Sequence, residues 1–151
     1  MTRVDLGTAQ PATYKAMLEL HRIASKAAHD AGISGRLTEL IKIRASQLNG
    51  CAFCLRMHTA NALKLGESAE RLAVLPAWRE TTGYFSDADA AGLEIAEYVT
   101  MIATAELPDD IYEQIATTLS AEQIAAAHWL AIVINAFNRI AIASHVDVSP
   151  A

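Results

Sequence analysis

Cysteine occurs only twice in this chain, at Cys51 and Cys54, and two residues separate the pair. His58 follows the second, and Glu39 precedes the first. If the stretch Gly50-Cys51-Ala52-Phe53-Cys54-Leu55-Arg56-Met57-His58 is helical, Cys51, Cys54 and His58 stand at i, i+3 and i+7 and share one face. Helical Cβ atoms three or four positions apart are ~5–6 Å from each other, and a disulfide closes from there with modest local adjustment. Asn49-Gly50 is a turn signal that places Cys51 in the first helical turn. Orphan amide hydrogens and the positive end of the helix dipole favour a thiolate there. A thiolate-prone dithiol with a histidine one turn on reads as a redox centre.

The rest of the chain reads as its scaffold. Its 7 glycines and 4 prolines fall between apolar-periodic segments, the punctuation of helices joined by short loops. A first helix opens at Pro11 and closes at Gly32, and His21 and His29 on it read as surface or satisfied core histidines. A second runs from Gly35 to Leu48. Leu37, Leu40, Ile41, Arg44, Ala45 and Leu48 form its core stripe, with Glu39, Ile43, Ser46 and Gly50 on the far side.

Periodicity alone makes Glu39 a solvated glutamate. If Asn49-Gly50 instead turns the chain into an antiparallel helix pair, Glu39 lies roughly 16 Å before the turn and His58 roughly 13 Å after it, at ~1.5 Å per residue. The two are then level to within one turn, although counting cannot say whether they face each other.

The third helix carries the dithiol and stops at Gly66; a short one follows from Glu67 and breaks near Pro76. Ser86 caps the next helix, with Leu93, Ala96, Val99 and Ile102 along one side. Pro108-Asp109-Asp110 opens another, carrying Ile111, Ile115 and Leu119. Ser120 with Gln123 has capping-box spacing and begins a last helix reaching about Ser144, apolar nearly all round as the centre of a bundle would be. On it His128, Asn135 and Asn138 share a stripe and must find partners if buried, either structural ones or the dithiol site. No strand alternation or long repeat is present.

Length bounds the answer to a single domain spanning residues 1–151, large enough to bury a core without a disulfide or metal. Hydrophobic content of 52% against 19% charged excludes a disordered chain. The net charge of -5 and the lack of a Lys/Arg cluster argue against nucleic acid. The apolar run from Ile124 to Ile134 is too short to cross a bilayer, so no membrane association is expected. The N-terminal residues lack the apolar core of a secretory signal, and a CxxC without one points to a cytoplasmic dithiol.

The same residues carry a family likeness. Glu39, Ser46-Gln-Leu-Asn-Gly-Cys-Ala-Phe-Cys-Leu-Arg-Met-His58 and Thr59-Ala-Asn-Ala-Leu-Lys-Leu-Gly66 resemble the alkylhydroperoxidase AhpD-like branch of the carboxymuconolactone decarboxylase family. The likeness extends to Leu75-Pro-Ala-Trp-Arg79, Phe85-Ser-Asp-Ala-Asp-Ala-Ala91 and Ile134-Asn-Ala-Phe-Asn-Arg-Ile140. It implies an all-α, AhpD-like helical bundle with a central helix hairpin bearing the CxxC at the start of its second helix. It also implies homo-oligomers, trimers or hexamers, and a thiol-dependent peroxidase or disulfide reductase that needs no bound cofactor or metal.

In the family scheme Cys54 attacks a hydroperoxide or other small electrophile, while His58 and Glu39 relay protons. Cys51 then resolves the sulfenic acid into a disulfide, which a lipoyl or thioredoxin-like dithiol donor reduces. The best-characterised peroxidases carry a histidine directly before the second cysteine; here it is Phe53, which neither accepts nor relays a proton. The decarboxylases work without the dithiol, so the CxxC argues against their reaction.

Three other readings use the same residues. Cys51, Cys54, His58 and Glu39 could ligate a metal, although the second CxxC or His pair common in structural zinc sites is missing. The dithiol could be a non-catalytic redox sensor that alters assembly. Both cysteines could also be inert core residues.

Overall fold

Eight α-helices and one 3-10 segment make up the computed structural model, which describes residues 3–150. The helices are α1 (Leu6–Ala9), α2 (Pro11–Asp30), α3 (Gly35–Asn49), α4 (Ala52–Lys64), α5 (Ala69–Val74), α6 (Asp87–Thr100), α7 (Asp109–Thr118) and α8 (Ala121–Ala143). The 3-10 segment, Leu75–Glu80, follows α5 directly and contains Pro76, where the sequence predicts a break. No described residue lies in a strand. The expected all-α bundle is therefore the observed one.

Local chemistry sets the boundaries. Ser34, Ser68, Ser86 and Ser120 cap α3, α5, α6 and α8 by accepting an amide hydrogen from the first turn. At Ser86 and Ser120 the reciprocal bond from the third helical residue completes a capping box. The sequence reading omits α1, a single turn nucleated by the Asp5 carboxylate accepting the Thr8 amide hydrogen at 2.9 Å.

Helix α3 is the hub, packed against α4, α6 and α8. Its far stripe is not solvated. Of that stripe Glu39, Ile43 and Ser46 are buried, as are Lys42 and the core residues Leu37, Leu40, Ile41 and Ala45, and only Gly50 at the turn is exposed; three helices surround the element, so one-face periodicity loses its meaning. Leu37 and Ile41 join α6 and α8 in one apolar cluster, and Leu40 and Ile43 join Ala62, Trp78 and Leu93 in another. Gly92 permits the α3–α6 approach, since a Cβ there would stand 2.8 Å from Leu37 Cδ1. At the rim Glu97 accepts from Arg44 at 2.7 Å and from Trp78 Nε1 at 2.8 Å, tying α3, α6 and the 3-10 segment together.

Helix α8 is longer than the apolar run read from sequence. It has 23 residues, and an 18-residue stretch of it with mean hydropathy 1.3 would allow a bilayer crossing by length and composition. Half of that stretch is buried in this fold, where α8 packs on α2, α3 and α6 as a core helix.

Candidate active site

The dithiol sits where one helix ends and the next begins. Gly50 takes a left-handed conformation (φ 68) and donates to the Gln47 carbonyl, while the Cys51 amide donates to Ser46 O at 3.0 Å. These bonds satisfy the last carbonyls of α3 and reverse the chain with no intervening loop. Cys51 is at once the N-cap of α4: its carbonyl accepts from the Leu55 amide, and its sulfur accepts the Cys54 amide hydrogen at 3.4 Å. The Cys51 sulfur thereby satisfies one of the orphan amides at the start of α4.

The two thiols are free, buried, and share a hydrogen bond at 2.7 Å. They pack with Ala45 of α3 and with Ile134 and Ala141 of α8, so the pair is part of the core where α3, α4 and α8 meet. Burial pushes the Cys54 thiol up to about 12, reinforced by the proton it shares with Cys51 and opposed by the Asn138 side chain.

This has a measurable consequence. An unfolded thiol loses its proton near its ordinary ~8.5, so between there and about 12 the unfolded chain binds fewer protons than the folded one. The Cys54 contribution to stability is complete at neutral pH and falls as pH rises through that window. Under reducing conditions, the difference in urea midpoint between wild type and Cys54→Ser is expected to narrow from pH 7 to pH 10. A constant difference would contradict this protonation.

His58, one turn beyond Cys54, is buried and faces α3. Its Nδ1 lies 2.8 Å from Glu39 Oε2, and Lys42 Nζ donates to Glu39 Oε1 at 3.0 Å. All three side chains are at least nine-tenths buried. Burial alone would raise the Glu39 carboxyl; the His58 hydrogen bond and the Lys42 ammonium outweigh it and hold the group below its ordinary value. An ionised Glu39 only accepts, so Nδ1 carries the proton in the neutral ring and Nε2 is left as the base. Counting residues leaves open whether Glu39 and His58 face each other, and the structure joins them directly.

Behind this pair lies a polar chain. Ser46 Oγ donates to the Lys42 carbonyl at 2.7 Å and accepts from Asn138 Nδ2 at 3.0 Å. Asn49 Nδ2 donates to the side-chain oxygens of Asn138 and Asn135, and Asn135 Nδ2 donates to Thr100. Asn138 thus supports the dithiol hairpin from α8, with Asn135 behind it. His128 does not join them: its Nδ1 bonds the Ile124 carbonyl of its own helix.

Cys54 and His58 open onto an apolar cavity of about 300 Å³ walled by Phe53, Met57, Ile134 and Phe137. Lys42 and His21 also line it. Of the surface and core alternatives for His21, the structure favours the core one, with the ring half-buried at this cavity. It packs edge-on against Phe137, and burial together with the nearby Lys42 ammonium holds it below its ordinary value, against Glu39. Sequence reasoning missed Lys42 and His21. Lys42, three residues from Glu39, had a visible i,i+3 signal; His21 comes from a distant helix and had none.

Among the described residues, no three His, Cys, Asp or Glu side chains converge as a metal-holding group. Glu39 is already engaged by His58 and Lys42.

An all-helical chain with a CxxC at a helix start, backed by a buried histidine–glutamate pair, is the class that fold and site define together. The chain belongs to the carboxymuconolactone decarboxylase family, whose model matches residues 11–98, and its fold is AhpD-like. It is 36% identical over 141 residues to the uncharacterized protein YdfG of Bacillus subtilis (strain 168), covering 93% of this chain and 92% of that protein. It also superposes on the crystal structure of a protein of unknown function from Agrobacterium tumefaciens, suggested to be an antioxidant defence protein AhpD. That likeness has a TM-score of 0.88 and 31% identity, and covers 100% of both chains.

Proposed function

We propose that this protein is a thiol-dependent oxidoreductase, alkylhydroperoxidase- or peroxiredoxin-like, that cycles Cys51 and Cys54 between dithiol and disulfide. The observation that carries the reading is the sulfur pair at 2.7 Å with Cys54 and His58 on one apolar cavity. His58 Nε2 takes the Cys54 proton, and the sulfur attacks the distal oxygen of a hydroperoxide ROOH. The O–O bond breaks, RO⁻ leaves with the proton from His58 as ROH, and Cys54 becomes a sulfenic acid. The Cys51 thiolate attacks that sulfur and expels hydroxide, which is protonated to water. The peroxide gains two electrons and the dithiol gives up two.

A base is required because a thiol raised to about 12 is not ionised at neutral pH. Once ionised, such a sulfur is intrinsically more nucleophilic than an acidic one. The disulfide is reset by a dithiol donor of lipoyl or thioredoxin-like chemistry. The setting is cytoplasmic, where such donors keep thiols reduced. Exposed Trp129 and Ile132 on α8 fit a homo-oligomer, trimer or hexamer.

The test is a free-thiol count and intact mass of the reduced protein before and after one equivalent of cumene hydroperoxide. Loss of two thiols and two mass units within seconds is expected. Two unreactive thiols would sink the peroxidase reading.

A further inference from the structure

The two sulfurs do not open onto the same space. Cys54 lines the inner cavity with His58, Lys42 and His21, and Cys51 does not. Cys51 lines a separate outer groove of about 400 Å³ with Gly50, Ala52, His145, Asp147 and Val148, and Cys54 does not. Phe53, Ala141 and Val146 border both spaces and form, with the dithiol, the partition between them. The outer wall is the C-terminal segment. The chain leaves α8 at His145 in a left-handed conformation (φ 50) and returns past the start of α4, where Arg56 donates to the Ser149 carbonyl at 2.9 Å. Ala52, Ile142, His145 and Asp147 on this groove are exposed, whereas exposed residues of the inner cavity are confined to its mouth at Leu18, Met57 and Val146, and the rest of its wall is the packed faces of α2, α3, α4 and α8.

We propose that the dithiol is served from two sides: the small oxidant reaches Cys54 through the inner cavity, and a dithiol carried on a partner protein attacks Cys51 through the outer groove. This rests on the redox reading above and adds where the donor binds and what kind of donor it is. The inner cavity of about 300 Å³ has the size for a small molecule and runs inward between helices, whereas the groove beside Ala52 is lined mostly by exposed residues and lies along the surface. The donor's thiolate attacks the Cys51 sulfur. The Cys51–Cys54 bond breaks, and its electron pair stays on Cys54, which takes a proton delivered from solvent through His58. The donor's second thiol, losing its proton to solvent, then attacks the donor sulfur of the mixed disulfide and releases Cys51 as a thiolate. The donor leaves as a disulfide, oxidised by two electrons, and the enzyme is reduced by two. Oxidant and donor then do not compete for space.

The test uses full-length single-cysteine variants, Cys54→Ser and Cys51→Ser. Each is reacted with a small disulfide-forming reagent, methyl methanethiolsulfonate, and with a single-cysteine thioredoxin activated as its thionitrobenzoate disulfide. Dividing the second rate by the first removes the intrinsic reactivity of each thiol and leaves access. The ratio is expected to be at least tenfold higher for Cys51 than for Cys54. Equal or inverted ratios overturn the two-sided assignment.

A second measurement uses wild type and Ala52→Trp, both oxidised with diamide so that no peroxide chemistry is required. The exposed tryptophan should slow reduction by reduced thioredoxin at least fivefold while leaving reduction by dithiothreitol within twofold. Equal slowing of both, or of neither, overturns the groove. If neither thiol reacts even with the small reagent, it is the redox reading itself that falls.

Discussion

Replacing Cys54 with serine is expected to lower peroxide consumption to background, a loss on the order of 10³-fold or more, as removal of a nucleophile does elsewhere. Cys51→Ser should behave differently. It keeps the sulfur that faces the cavity and the histidine beside it, so one equivalent of hydroperoxide should still give a sulfenic acid at near the wild-type rate. That species has no neighbouring thiol to condense with, so it accumulates, is trapped by dimedone and does not turn over. Two physical effects distinguish the thiols. The amide at the start of α4 is held by the Cys51 sulfur, whereas burial keeps the proton on Cys54. In the proposed mechanism the cavity shared with the His58 base gives the attack to Cys54. Sulfenic acid forming at the wild-type rate in Cys54→Ser, and not in Cys51→Ser, would reverse the two roles.

The second large effect is expected from Glu39→Gln. Glutamine presents an N–H donor as well as an oxygen, so Nδ1 of His58 is no longer obliged to carry the proton. The tautomer with its base on Nε2 is lost from part of the population, and the oxidation rate should fall by between about 10² and 10⁴. The same change leaves the Lys42 ammonium buried without its carboxylate, at a cost of ~3–5 kcal/mol in stability. Adding Lys42→Met separates the two consequences: the unfolding midpoint should recover and the rate should not. A rate that recovers with stability would make Glu39 merely structural.

The pH dependence provides a further check. The Glu39 carboxyl is held below its ordinary value, so its contribution is present above the ordinary carboxylate range and lost as pH falls through the folded value. In Glu39→Gln that acid limb of the stability curve should flatten.

What the sequence could disclose follows the range of each interaction. The caps at Ser86 and Ser120, the reversal at Gly50 and the i,i+3 pairing of the cysteines are decided within a few residues and were legible as such. The level of Glu39 with His58 followed from helical rise. Their contact did not, because it depends on the rotation of α4 about α3, which packing from α6 and α8 fixes. For the same reason Glu39 reads as solvated in a stripe analysis and is buried in the fold. His21 enters the cavity only because α2 lies against α8, and Asn138 supports the hairpin across a separation of 92 residues. No local pattern encodes either.

The loop-free reversal at Gly50 also constrains how this chain can diverge. Glu39, Lys42, Ser46, the cysteines and His58 all lie in one unbroken hairpin, and each azimuth is set by its distance from the turn. Inserting or deleting one residue within either arm would swing everything beyond it by about 100° around the helix axis, and there is no slack to absorb the change. Relatives that keep this chemistry should therefore vary in residue type at the other positions between Glu39 and His58 but hardly at all in length. The irregular stretch between α6 and α7 should collect insertions and deletions instead.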